Sequence, residues 1–304
     1  MITRTICIAA IQAAALYSTA NFNLSVESFS LGSSSSATSM EQRTTTTALS
    51  MAGGVRTRGL EQRREGATPT EGGMTLYVKA AEDGTSVGDC PFAHYIRMIL
   101  EEKKLPCQVQ PCASNDDKPA WLMEYYEGKL PCLKHKKEAY VESNVIAAYL
   151  DYFFPFTDGS DDDERERKAA TEKAEDAMEG FFPAVAGYLK DVDGDNDESS
   201  PKLVALREKL AALEETLGDN GGATNNLDGT AAFGLLDCRL VPQLYHLKVG
   251  IEAFKQHKQP NLETEFPRIH GYLVRSMERS SFQNTSYSPE TIEWGWSNAR
   301  NTIN

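Results

Sequence analysis

Cys90 stands where a cysteine can become a nucleophile. It lies in the run Gly88-Asp89-Cys90-Pro91-Phe92-Ala93, after a loop with Gly84 and Gly88. The stretch that follows has Phe92, Ile96, Ile99 and Leu100 at helical spacing. Proline at a first helical position costs nothing, because the N–H it lacks has no partner within the helix. The free N–H groups behind it and the positive end of the helix dipole favour negative charge on the sulfur. The expectation is a thiolate near neutral pH and covalent chemistry at that sulfur. The alternative, a buried structural cysteine, fits poorly between a glycine-bearing loop and a Pro-started helix. Asp89 works the other way, since a neighbouring carboxylate raises a thiol's pKa. It is read as fixing the loop or passing a proton, with Lys79, at the end of the preceding strand, offsetting its charge. An exposed strand-end lysine is the plain alternative for Lys79.

Two further groups of residues have chemical content. In Gly128-Lys129-Leu130-Pro131 the proline opens a strand and is a candidate for a cis peptide bond. The residue before such a proline can offer free backbone groups to an extended peptide. In Glu142-Ser143, Ser143 is expected to cap the following helix. That helix N-terminus is a ready site for a carboxylate. Either group alone would be structural. Beside a helix-borne cysteine they point to a glutathione site.

Other patterns carry less. Asp191 to Glu198 resembles a calcium loop, but Asn196 stands where the loop needs Gly and Lys202 where it needs Glu. It is read as a solvated acidic loop. The five histidines, His94, His135, His246, His257 and His270, lack metal-ligand spacing, so no metal is expected. His94, one turn from Cys90, is expected to pack or face solvent. No Gly-rich phosphate loop occurs.

The elements that must position these residues follow from periodicity. Strands are expected over 74–79, 107–111, 129–134 and 139–141, and helices over 91–104, 119–126 and 143–153. The order βαβαββα is the thioredoxin-like plan. Beyond an acidic linker at 158–166, strand patterning ends. Helices are expected over 168–189, 201–217, 235–255 and 268–279, with a loop over 218–229. The reading is an α/β thioredoxin-like domain over 74–155 and an all-α domain over 165–300.

Composition bounds the partners. The chain has 304 residues and a net charge of −13. Residues 1–60 carry four Arg against two Glu, a net of +2, which leaves −15 for the remainder. Such a body repels phosphate backbones and anionic lipid, so no nucleic-acid partner is expected. No segment of the body reaches 18 apolar residues, so no membrane span is expected. Of six cysteines, Cys7 lies in the N-terminal leader, leaving Cys90, Cys107, Cys112, Cys132 and Cys238. An odd count without paired spacing indicates a reducing compartment rather than a disulfide framework. No Cys-x-x-Cys occurs, and Ala93 stands where a resolving cysteine would. The leader opens with Arg4 and an apolar run, Ile6 to Leu16, ending in small residues. Residues 21–50 then hold 14 Ser or Thr. A signal followed by a hydroxylated, acid-poor stretch reads as a bipartite plastid-targeting leader over 1–60, cleaved or disordered. Mitochondrial or cytosolic placement is the alternative.

Taken together, Gly88-Asp-Cys-Pro-Phe92, Leu100-Glu-Glu-Lys-Lys104, Asp117-Lys-Pro-Ala-Trp121, Glu127-Gly-Lys-Leu-Pro131 and Glu142-Ser-Asn-Val-Ile146 resemble the glutathione-dependent dehydroascorbate reductases of plants. These belong to the glutathione transferase superfamily and are kin to the chloride intracellular channel proteins. The similarity runs on through Leu240 to Leu247 and Trp294-Gly-Trp296. The resemblance implies the glutathione transferase fold, with Cys90 as catalytic nucleophile and Lys79 and Asp89 near the substrate. It implies glutathione-binding roles for Lys118, Leu130, Pro131, Glu142 and Ser143. It also implies glutathione as co-substrate, dehydroascorbate as substrate, and a monomer. Two departures stand out. Ala93 replaces the family's usual Ser. Gly234 replaces the Ser or Thr of the capping box while Asp237 is retained, at a cost of a few tenths of a kcal/mol. A thiol transferase or deglutathionylase acting on protein thiols is the nearest alternative activity. A non-catalytic structural or channel-like protein is the alternative of a different class.

Overall fold

The computed structural model describes residues 73–156, 164–197, 199–219, 226–230 and 232–301. The leader expected over 1–60 lies outside the described residues. The first half is built on a four-stranded sheet of order β2-β1-β3-β4. Its strands are β1 (Met74–Lys79), β2 (Cys107–Cys112), β3 (Cys132–His135) and β4 (Glu138–Val141). β1 and β2 run parallel, while β3 is antiparallel to both β1 and β4. The parallel pair needs a crossover, supplied by α1 (Pro91–Glu102). α2 (Ala120–Tyr126) leads into β3, and α3 (Ser143–Phe153) follows β4. Alternation along β1 buries Met74, Leu76 and Val78. Ile96 and Ile99 of α1, Leu133 of β3, and Ile146 and Leu150 of α3 are likewise fully buried.

The second half is helical: α4 (Glu164–Met178), α5 (Phe181–Lys190), α6 (Pro201–Asp219), α7 (Leu235–Phe254), α8 (Leu262–Glu265), α9 (Pro267–Met277), α10 (Ser280–Gln283) and α11 (Pro289–Asn301). Leu203, Leu206, Leu210, Leu213 and Leu217 form one buried stripe along α6, as their spacing predicts. The sheet order, the crossover and the all-helical second half are those of the glutathione transferase fold.

Three expectations need correction. The single helix over 168–189 is two, α4 and α5. Gly180 sits between them at φ +71°, a left-handed conformation that ends one helix and re-aims the chain. Pro183, in the first turn of α5, is tolerated there and marks the restart. The second correction is α11, which the sequence reading did not place. Ser288-Pro289-Glu290 is a start signal, and the Thr291 N–H reaches Ser288 Oγ at 3.3 Å. The third concerns the acidic loop. Asp193 and Asp197 are exposed, but Asp195 is tied into the fold. Its carboxylate accepts a 2.6 Å bond from Lys255 Nζ and pairs with Arg300. The Lys255 side chain is only 1% exposed, and its ammonium also donates to the Asp191 carbonyl at 2.8 Å. A cation buried that deeply needs an anion, and the loop supplies it.

Candidate active site

All the site residues expected from the sequence collect at one end of the sheet, for reasons of register. β1 and β3 are antiparallel with Tyr77 opposite Cys132, so Pro131 lies at the Lys79 end of β1. Val141 is opposite Cys132, so β4 also ends there and delivers Glu142 and Ser143. The loop after β1 returns through Gly88, whose N–H donates to the Lys79 carbonyl at 2.7 Å, and places Cys90 at the N-cap of α1.

Cys90 is part-exposed, in extended conformation at φ −74° and ψ 114°. The Phe92 and Ala93 N–H groups at the start of α1 favour the thiolate, although neither side-chain cap bond to the sulfur is formed. They do not prevail. Burial pushes the thiol up, Asp89 adds to the push, and Lys79 offsets part of it, so the pKa stands above the ordinary thiol value. This corrects the expectation of a thiol held low. A thiol with a higher pKa gives less thiolate at neutral pH but a stronger nucleophile when ionised.

Lys79 Nζ donates to Asp89 Oδ1 at 2.8 Å, so the expected pairing of these residues is present. Asp89 is the more enclosed partner, with a side chain 15% exposed against 48% for Lys79. Two residues of α11, which sequence reasoning did not connect to the site, hold this pair. The Trp294 ring lies 5.2 Å from the Lys79 ammonium. Gly295 presses on Asp89 so closely that a Cβ there would sit 1.7 Å from Asp89 Oδ2. Because Asp89 raises the thiol pKa, Asp89→Asn is expected to shift the pH midpoint of Cys90 alkylation downward. Iodoacetamide labelling across pH, read at the Cys90 peptide by mass spectrometry, checks this; an upward shift would contradict the assignment.

The second wall contains Leu130 and Pro131, joined by a cis peptide bond as expected. Among the described residues no strand pairs with Leu130. Lys118 Nζ donates to Asn115 Oδ1 at 2.9 Å and lies close to Gly128. Its loop is pinned by Asp117, which accepts from the Ala113 and Ser114 N–H groups at 3.0 and 2.8 Å. Glu142, at φ +68°, faces Lys129 Nζ at 3.5 Å. The capping expectation for Ser143 is corrected: the Glu142 carbonyl accepts the first helical bond, from the Ile146 N–H at 3.0 Å, making Glu142 the N-cap and Ser143 the first helical residue. Among the described residues the Ser143 hydroxyl has no hydrogen-bond partner, and it stands part-exposed at the α3 N-terminus. An extended peptide with a carboxylate fits such a wall, its backbone at Leu130 and its anion at α3. Among the described residues no three His, Cys, Asp or Glu side chains group as metal ligands.

Comparison with known proteins places this architecture. Residues 89–152 match the family model described as glutathione S-transferase, N-terminal domain, and residues 168–275 match glutathione S-transferase, C-terminal domain. Glutathione S-transferase DHAR2 of Arabidopsis thaliana is 32% identical over 225 residues, covering 73% of this chain and 96% of that protein. The chloroplastic glutathione S-transferase DHAR3 of the same plant is 28% identical over 226 residues, covering 73% of this chain and 79% of its own. The crystal structure of Chlamydomonas reinhardtii dehydroascorbate reductase superposes with a TM-score of 0.58 at 30% identity, covering 74% of this chain and 97% of that one.

Proposed function

The chain belongs to the glutathione S-transferase family, and from that premise we propose that it reduces dehydroascorbate to ascorbate with two glutathiones, through Cys90. The observation that carries this is one cysteine at a helix N-terminus, with Ala93 where a second could resolve it and a peptide-shaped wall beside it. A single thiol supplies only one of the two reducing equivalents, so an external thiol must supply the other, and glutathione can.

The cycle balances as follows. The Cys90 thiolate attacks an electrophilic carbonyl carbon of dehydroascorbate; a C–S bond forms and the oxygen takes a proton. A first glutathione thiolate attacks the Cys90 sulfur. An S–S bond forms, the C–S bond breaks, and its electron pair leaves with the carbon as ascorbate. A second glutathione attacks the mixed disulfide at the glutathione sulfur, releasing oxidised glutathione and the Cys90 thiolate. Two thiols lose two electrons and dehydroascorbate gains them. The Phe92 and Ala93 N–H groups stabilise the sulfur anion at both ends of the cycle. Lys118, Leu130, Pro131, Glu142 and Ser143 hold glutathione, and Lys79 with Asp89 faces the substrate.

The same proposal includes a monomer whose residues 1–60 direct it to a plastid, a thioredoxin-like glutathione-binding domain over 74–155 and an all-helical domain over 165–300. No helix among the described residues is long and apolar enough to cross a membrane. The test is glutathione-dependent formation of ascorbate by the purified full chain, with ping-pong kinetics expected. A parent protein with an alkylatable Cys90 and no ascorbate formation above the uncatalysed rate would overturn the reading and leave a protein-thiol substrate.

A further inference from the structure

We propose that Tyr287 is a positioning residue for Cys90, contributed by the helical half of the molecule. Its hydroxyl donates to the Cys90 carbonyl at 3.0 Å. That carbonyl also accepts the first helical bond of α1, from the His94 N–H at 3.0 Å. The peptide it belongs to ends in Pro91, which has no N–H, so this oxygen is the only hydrogen-bonding group fixing the plane. The plane sets the angle from which the sulfur meets the Phe92 and Ala93 N–H groups. Tyr287 is therefore the second of two bonds that aim the thiol, and the one that comes from outside its own helix.

The tyrosine is itself held on several sides. Its carbonyl accepts from Tyr245 Oη of α7 at 3.1 Å. The Arg97 guanidinium lies 5.6 Å from its ring and donates to the Thr285 carbonyl at 2.6 Å. The buried His94 ring stands 5.2 Å away on another side. Next to it the chain grips α1 again: Arg279 makes a two-pronged pair with Glu102 at 2.8 and 2.9 Å, and Asn284 donates to Glu101 at 2.7 Å. The segment between α9 and α11 thus fastens α1 at its C-terminal end and ties down the cysteine at its N-terminal end.

The inference rests on the reading of Cys90 as nucleophile, and its test separates the two. Tyr287→Phe removes only the hydroxyl. The charged and titratable groups around the thiol and the tyrosine stay in place: Lys79 of β1 and Asp89 of the loop act on the thiol, His94 and Arg97 of α1 lie against Tyr287, and His246 of α7 faces Asp89 and Lys79. Cys90 alkylation by iodoacetamide, followed across pH at its own peptide, is expected to slow on the order of 3- to 10-fold, with its midpoint moved upward. Turnover should fall by the same factor while the half-saturating glutathione concentration stays within about twofold. Tyr272→Phe is the control: it removes another buried hydroxyl bond, to Asp237 at 2.7 Å, and should lower stability with thiol reactivity unchanged. Parental alkylation and turnover in a folded Tyr287→Phe would overturn the proposal. If that variant does not fold, Arg97→Met, which loosens the ring and leaves the hydroxyl, must slow alkylation; a parental rate there overturns it equally. Slowed alkylation in a protein with no ascorbate formation would uphold the positioning role and sink the reductase reading alone.

Discussion

Cys90→Ser is expected to bring glutathione-dependent ascorbate formation down to the uncatalysed rate, a loss on the order of 10³-fold or more. The size follows from the chemistry. A serine oxygen cannot form the mixed disulfide, so the second half of the cycle is abolished rather than slowed. No other described cysteine can stand in. Burial raises the Cys107, Cys112, Cys132 and Cys238 thiols as it raises Cys90, so what singles Cys90 out is its position and not its pKa. Of the described cysteines only Cys90 caps a helix. The fold should not suffer, because the contact that Tyr287 makes is to the backbone of residue 90. Circular dichroism and melting temperature should match the parent while the coupled glutathione disulfide assay falls to background. Appreciable turnover in the serine variant would remove the covalent mechanism.

The largest effect on stability is expected at Asp237. The capping box at the start of α7 is halved, since Gly234 has no side chain, yet the remaining half does three things. Asp237 Oδ2 accepts from the Gly234 N–H at 2.8 Å, and Oδ1 accepts from the Leu227 N–H at 3.0 Å and from Tyr272 Oη at 2.7 Å. One buried carboxylate joins the loop, the helix start and α9. Asp237→Ala leaves these three donors without their acceptor, and each such loss costs about 1–3 kcal/mol. Relief of a buried charge returns part of this, for a net loss of about 3–5 kcal/mol. The pH dependence gives a second handle. Burial pushes Asp237 up to about 6, above its unfolded value, so the native state binds the extra proton as pH falls from 7 toward 5. This group's contribution to stability rises over that window. The gap between parent and Asp237→Ala in urea midpoints should therefore widen on acidification; a gap that narrows would contradict the assignment.

Much of this molecule was legible in its sequence because the signals were local. The Pro91 start, the β1 alternation and the leucine stripe of α6 each declare an element from residues close together in the chain. The placement of the candidate site was legible where short motifs carry it: Cys90, Pro131 and the Glu142-Ser143 start each sit at an element end, and register then gathers them. What escaped depends on contacts between distant segments. Nothing around Asp195 says that Lys255 and Arg300 will need it. Nothing in Ser286-Tyr287-Ser288 points to a carbonyl at Cys90. The sign of the Cys90 shift was missed for the same reason: the helix end is visible in sequence, whereas the enclosure that outweighs it is made by the rest of the fold.

The close approach of Gly295 to Asp89 makes two positions share room for one side chain. Gly295→Ala alone forces the carboxylate away from Lys79, whereas in an Asp89→Gly background the same methyl meets none of the Asp89 side-chain atoms that now crowd it. The two changes should therefore be strongly non-additive, with the second costing little once the first is made. Residues at the loop of the first sheet strand and in the last helix are bound into a single trade of volume, and neither can be read for tolerance without the other.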